Sequence, residues 1–169
     1  MKTVRLELVA PIPREQFMTI YDGDEFRSYV IQHHPHVSAI EVIERREDET
    51  TRLIRTRTTM SIEAPGFLKL LTSAVQPQTE EEQVFFKKEW RYEFRGSSSV
   101  SRSRARIELV PEGEQGTRRI VNLELEATRG PGFLRSRAED YFVEKAREQM
   151  GYYGDIVKKY IAEKFGVSY

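Results

Sequence analysis

The sequence contains no cysteine. This absence excludes disulfide bonds, thiolate metal ligands and a cysteine nucleophile, and it fits a reducing compartment. No stretch approaches the ~20 apolar residues of a membrane-spanning helix. The segment Met1–Glu7 also lacks the apolar core of a signal peptide. Together these absences predict a soluble, cytoplasmic protein.

A net charge is also missing, because 27 Lys and Arg residues balance 27 Asp and Glu residues. Binding to nucleic acid through bulk positive charge is therefore disfavoured, and no nucleic-acid partner is predicted. With 169 residues and hydrophobic periodicity throughout, the chain is expected to form one domain, 1–169, that buries about two thirds of its unfolded surface.

Short catalytic motifs are absent too. The segment 130–132 (Gly-Pro-Gly) lacks the following Lys and Ser/Thr of a phosphate-binding loop, and no serine lies in a nucleophile-elbow pattern. All three histidines lie within His33–His36, close enough together to hold a transition metal. However, no Asp, Glu or Cys stands beside them at a recognised ligand spacing. The sequence therefore predicts no catalytic residue, no metal site and no cofactor.

The apolar residues that are present follow two periodicities. Alternation predicts strands at residues 2–9, 37–46, 51–62, 81–94, 100–110 and 118–127. Helical spacing predicts two short helices around Phe17–Tyr21 and Phe26–Val30, a short helical segment within Pro65–Ala74, and a long helix at Phe133–Phe165. In the long helix, Gly151 and Gly154 predict a kink or a close approach to the sheet.

The inner faces of two predicted strands change from large to small side chains. The inner row of 51–62 includes Thr56 and Thr58, and that of 100–110 includes Ser101 and Ser103. A solid core would normally fill such positions with Leu, Ile or Phe. The hydroxyl side chains therefore predict a cavity with hydrogen-bonding walls.

Residues 81–94 are interpreted as one strand with an aromatic face. Phe86, Trp90 and Tyr92 share its inner side, and the last two could instead fill the predicted cavity. Lys88 is in phase with them, so the alternation predicts an inward cation that meets an anionic group of a ligand. The alternative is a β-bulge or a strand end, which would turn Lys88 outward.

The order of the elements resembles the START-like (SRPBCC) helix-grip superfamily, which includes lipid-transfer domains, the birch-pollen allergen and polyketide cyclases. The segment Tyr141–Gln149 is similar to the final helix of an uncharacterised bacterial branch, and the Pro65–Ala74 insert resembles the lid of PRELI-type phospholipid-transfer domains. The resemblance implies an α+β fold, in which a curved antiparallel sheet of six to seven strands wraps around a long C-terminal helix. It also implies a hydrophobic pocket between that sheet and that helix.

The leading hypothesis is non-catalytic binding or transport of a hydrophobic or amphipathic, lipid-like molecule in this pocket. The residues predicted to supply apolar contact are Phe86, Trp90, Tyr92, Tyr141, Met150 and Tyr153. Those predicted to orient the ligand are Thr56, Thr58, Ser101 and Ser103, with Lys88 for an anionic group. Phe67, Leu70 and Leu71 are expected to form a lid.

Two other hypotheses remain open. One is a cyclase- or hydratase-like enzyme, which needs a buried acid or base that the inner rows do not clearly supply. Its signature would be a carboxylate or histidine with a shifted pKa facing the cavity. The other is an interaction module whose pocket is packed shut.

The outer sheet face carries several arginines, including Arg55, Arg57, Arg102, Arg104 and Arg106. They could support a transient contact with an anionic membrane surface. The alternative is that glutamates on the same side of neighbouring strands pair with them. The ligand itself cannot be identified from the sequence.

Overall fold

A computed structural model of the protein describes residues 1–61, 65–69 and 78–167, without the side chain of Lys69. The strands in these ranges are β1 Lys2–Ala10, β2 Val37–Glu47, β3 Thr51–Met60, β4 Gln78–Phe86, β5 Arg91–Ser97, β6 Ser101–Glu112 and β7 Gly116–Ala127. The helices are α1 Arg14–Tyr21, α2 Asp24–His33, α3 Gly66–Lys69 and α4 Gly132–Phe165. The strands form one curved antiparallel sheet in the order β1-β7-β6-β5-β4-β3-β2. The predicted α+β helix-grip architecture is thereby confirmed.

The interpretation of residues 81–94 as one strand is wrong. The structure contains a hairpin there, in which β4 ends at Phe86 and β5 begins at Arg91. The connecting turn has no Gly or Pro, and Trp90 adopts the uncommon φ of 50°. Across this hairpin Phe86 pairs with Arg91 and Phe85 pairs with Tyr92, and paired residues lie on the same face of the sheet. The predicted inner face is therefore correct for Tyr92 and wrong for β4. In β4 the inward residue is Phe85, which is 2 % exposed, and not Phe86.

Helix α4 lies against the concave face of the sheet and contacts β1 and β7. Its C-terminal half packs into the main core through Ile156, Val157 and Ile161. Its N-terminal half joins a separate small cluster, in which Ala138 packs with Ala127 and Leu68. The helix is thus anchored near both ends, and its middle lies over the space between the two clusters. No helix within residues 1–61, 65–69 and 78–167 is both long and apolar enough to cross a membrane.

The two glycines in α4 have different surroundings. A Cβ on Gly154 would lie 3.3 Å from Cδ1 of Leu8 on β1, whereas one on Gly151 would meet nothing within 4 Å. Gly154 is therefore the point of close approach to the sheet. We expect Gly151→Ala to raise the free energy of unfolding by about 0.8 kcal/mol, because Ala is the better helix former. Gly154→Ala should raise the free energy of unfolding by less, because Leu8 must shift to make room for the added methyl group. Urea denaturation measures both variants, and an equal rise in both would contradict the close approach.

Most of the outer-face arginines pair with glutamates on the same or a neighbouring strand. Arg55 lies 3.2 Å from Glu82 and Arg57 lies 2.9 Å from Glu80. Arg106 pairs with Glu108 on its own strand at 2.8 Å. Arg102 and Arg104 are opposite Glu126 and Glu124 of β7 in the strand register. This arrangement follows the cross-strand alternative and leaves less positive charge for contact with a membrane.

Candidate functional site: a ligand cavity

A cavity of about 480 Å³ lies between the concave face of the sheet and the middle of α4. This volume is within the range of small-molecule sites. All seven strands contribute to its floor. Its roof consists of the α4 residues Phe142, Lys145, Ala146, Gln149, Met150 and Tyr153. Residues of α1 and α2, including Tyr21 and Phe26, form one end. The space is much larger than a few water molecules, so the interpretation of a pocket packed shut is not supported.

Six of the predicted site residues line this cavity. They are Thr56, Thr58, Ser101, Ser103, Met150 and Tyr153. The small side chains lie where the inner rows change from large to small residues. Ser103 pairs with Gly96 of β5, which has no side chain. A Cβ at Gly96 would be only 2.4 Å from Oγ of Ser103. The absence of a side chain at Gly96 therefore leaves room for the hydroxyl of Ser103 at the cavity floor.

Four predicted residues in and beside the β4–β5 hairpin do not line the cavity. Phe86 is on the outer face, where the guanidinium of Arg91 lies 4.4 Å from its ring centre. Lys88 is exposed in the turn after β4, so the alternative of a strand end that turns it outward is correct and the inward cation is wrong. Trp90 and Tyr92 pack around Phe85, with ring centres 6.0 and 4.6 Å from it. They belong to the core beside the cavity and do not line it.

One predicted lid residue, Phe67, and Tyr141 form a separate group. Phe67 on α3 contacts Tyr141 with ring centres 6.3 Å apart, and both pack on the small cluster around Ala138. Neither side chain lines the cavity. Leu70 and Leu71 lie outside the described residues, so the lid stays a prediction.

Sequence reasoning missed Glu81, a carboxyl group at the cavity floor. Glu81 lies opposite Thr56 on β3 and Gly96 on β5. Burial raises the pKa of Glu81 to about 7, although the nearby hydroxyls of Thr56 and Thr58 lower it. Glu81 lies on the same face of β4 as Phe85. Recognising the turn after Phe86 would therefore have predicted that Glu81 faces inward.

Arg119 on β7 is the second missed residue, and it supplies the inward cation. It is 6 % exposed and lines the cavity. One guanidinium nitrogen donates to the hydroxyl of Tyr21 at 3.1 Å, and another lies 3.6 Å from the sulfur of Met150. Arg119 alternates with Val121, so extending the predicted inner row of β7 by one position would have found it.

Two polar side chains on the α4 roof lack hydrogen-bond partners among the described residues. They are the amide of Gln149 and the hydroxyl of Tyr153, whose polar atoms are all buried. Their spacing of four residues places them on the same helix face. Buried polar groups are normally satisfied, so unpaired ones beside a cavity indicate positions where a bound molecule would supply the partner.

The comparisons with known proteins agree with this architecture. An aromatase/cyclase from Streptomyces sp. R1128 superposes with a TM-score of 0.69 at 8 % identity, and each chain is covered to 99 %. A START superfamily protein from Mycobacterium smegmatis gives 0.63 at 14 % identity, covering 95 % of this chain and 97 % of that one. The chain has the START-like helix-grip fold. A protein of Thermus thermophilus shares the same fold, with a TM-score of 0.65 at 21 % identity over 92 % of this chain and 97 % of its own.

These similarities concern the fold, because each of the three sequence identities is below 25 %. No family model and no curated protein matches the sequence. The cavity lies between the sheet and the C-terminal helix, which is the position that the resemblance implies.

One of the three histidines lines the cavity. His34 is buried and lines it, and burial lowers its pKa. His33 instead turns back to the carbonyl of Tyr29, at 2.9 Å from its Nδ1. Within the described ranges, no group of three His, Cys, Asp or Glu residues could hold a metal ion.

Proposed function

We propose that the protein binds one amphipathic small molecule in the cavity. The observation that carries this proposal is a space of about 480 Å³ with apolar walls and polar groups at separate ends. The apolar walls include Ile54, Phe94, Leu123, Leu125 and Phe142. Apolar surface of this extent favours a hydrocarbon or polycyclic ligand body.

The polar groups favour an amphipathic ligand over a purely apolar one. Glu81 with Thr56 and Thr58 lies on the β3–β4 side, and Arg119 with Tyr153 lies on the β7 side. A hydrocarbon without polar atoms would cover these groups without satisfying them, and each unsatisfied buried group costs about 1–3 kcal/mol. A ligand with matching polar atoms avoids that cost.

A thermal-shift screen with a panel of amphiphiles tests the proposal. The panel contains linear, isoprenoid, sterol and polycyclic aromatic compounds, each as an acid and as an alcohol. A ligand at 100 times its Kd should stabilise the protein by about 2.7 kcal/mol. We expect at least one class to bind with one molecule per chain in a titration. A panel in which no compound shifts the melting temperature would contradict the proposal.

Glu81 favours acid–base catalysis in the same cavity as a second candidate function. A carboxyl group with a pKa of about 7 can both donate and accept a proton at neutral pH. The similarity to an aromatase/cyclase concerns the fold, and catalysis is proposed here from Glu81 alone. If it occurs, mass spectrometry should detect conversion of a bound panel compound by the wild type, and Glu81→Gln should bind that compound without converting it. Equal conversion by both proteins would exclude this role for Glu81.

A further inference from the structure

We infer that the ligand carries an oxyanion, a carboxylate or a phosphate monoester, and that Arg119 binds it at the end of the cavity next to α1. This inference rests on the proposed binding function and specifies the ligand class. It is carried by a buried cation that lacks a counter-charge among the described residues, together with an unpartnered hydroxyl beside it.

The burial of Arg119 is the first part of the argument. Its side chain is 6 % exposed, and a guanidinium remains protonated at all ordinary pH values. Of its five N–H donors, one reaches the hydroxyl of Tyr21 and another reaches only a weak acceptor, the sulfur of Met150. A buried charge without a counter-charge destabilises the folded protein, because the charge has lost its hydration. An anion that enters the cavity would remove much of this destabilisation.

Neighbouring carboxylates do not provide the counter-charge. Among the described residues, Arg119 forms no ion pair within 4 Å. Asp22, which lines the same end of the cavity, is held by Arg52 at 2.5 Å. Glu81 lies on β4, and β5 and β6 separate that strand from β7.

Two tyrosines stabilise the cation only in part. The guanidinium carbon lies 5.1 Å from the ring centre of Tyr21 and 5.6 Å from that of Tyr153, distances typical of cation–π contacts. These contacts do not explain why the buried hydroxyl of Tyr153 has no partner within the described residues. An oxyanion would explain both observations, because its oxygens accept from the guanidinium and from the hydroxyl at once.

The test compares ligands that differ only at the head group. For the panel skeleton that binds best, the acid, the alkyl phosphate, the alcohol and the methyl ester are titrated by calorimetry. We expect the wild type to bind one of the two anions about 10- to 100-fold more tightly than the alcohol and the ester, as charge-assisted hydrogen bonds predict. The acid and the phosphate separate the two sources of the oxyanion.

Two variants and a control assign the preference to Arg119. Arg119→Met should reduce the affinity for the anion to that for the ester, and Arg119→Lys should keep part of the preference because it keeps the charge. Arg104→Met, on the outer face of β6, should keep all of it. If Arg119→Met does not fold, Arg119→Lys and the wild-type ligand comparison still decide.

The outcomes are distinguishable from failure of the proposed function. Equal binding of anions and neutral analogues by the wild type, or a preference that survives Arg119→Met, would overturn the inference and leave the binding function intact. If no member of any ligand series binds, the binding function and the inference both fail.

Discussion

Replacing Glu81 by Gln is expected to raise the free energy of unfolding, by a margin that grows by about 2–3 kcal/mol between pH 5 and pH 8. The reason is that the folded protein holds the Glu81 proton up to a pKa of about 7, whereas the unfolded chain releases it near 4.5. Between these values the folded state binds more protons, so the stability of the wild type falls as the pH rises. Gln has no proton to lose and removes this fall.

Urea denaturation of both proteins from pH 5 to pH 8 measures the margin. His34, whose lowered pKa acts in the opposite direction, is present in both proteins and cancels in the difference. Glu112→Gln is the control, because Arg118 lowers the pKa of Glu112, so the margin of this variant should not grow with pH. A margin between wild type and Glu81→Gln that stays constant with pH would show that the folded protein does not raise the pKa of Glu81.

Ser103→Leu is expected to weaken ligand binding by about tenfold or more. Ser103 lines the cavity, and its hydroxyl lies against Gly96 of β5. Leu would occupy volume that the ligand needs, and the strain of overpacking is about 1–3 kcal/mol. The fold should tolerate the change, because an empty cavity has room for the larger side chain.

The matched control for this variant is Arg104→Leu. It adds the same side chain to the neighbouring position of β6, on the exposed outer face. Calorimetric titration with the best panel compound should give an unchanged Kd for Arg104→Leu and a raised Kd for Ser103→Leu. Equal affinities in both variants would place the ligand outside this cavity.

The element order and the long helix could be predicted because their periodicities are uninterrupted. The predicted helix at Phe133–Phe165 differs by one residue from the observed Gly132–Phe165. The prediction that four hydroxyl side chains face inward is correct, since their strands begin and end at ordinary turn signals. These side chains are Thr56, Thr58, Ser101 and Ser103.

The remainder of the site depended on a turn without such a signal. The turn between Phe86 and Arg91 contains two lysines, a glutamate and a tryptophan, none of which ordinarily marks a hairpin. Without this turn, the predicted inner and outer faces of β4 are exchanged. Phe86 and Lys88 are then assigned to the inner face and Glu81 to the outer face. The inward cation, one of two interpretations of Lys88, is instead Arg119. Arg119 continues the inner row of β7 one position beyond Val121, where the predicted row ends.

Native mass spectrometry of the protein purified from its own host tests the central claim most directly. The account predicts a population heavier than the bare chain by the mass of one small molecule, and solvent extraction of that population should release an amphiphile. The same purification of Ser103→Leu should give mainly the bare chain. A wild-type protein that carries nothing, and that also binds no member of the amphiphile panel, would contradict the account.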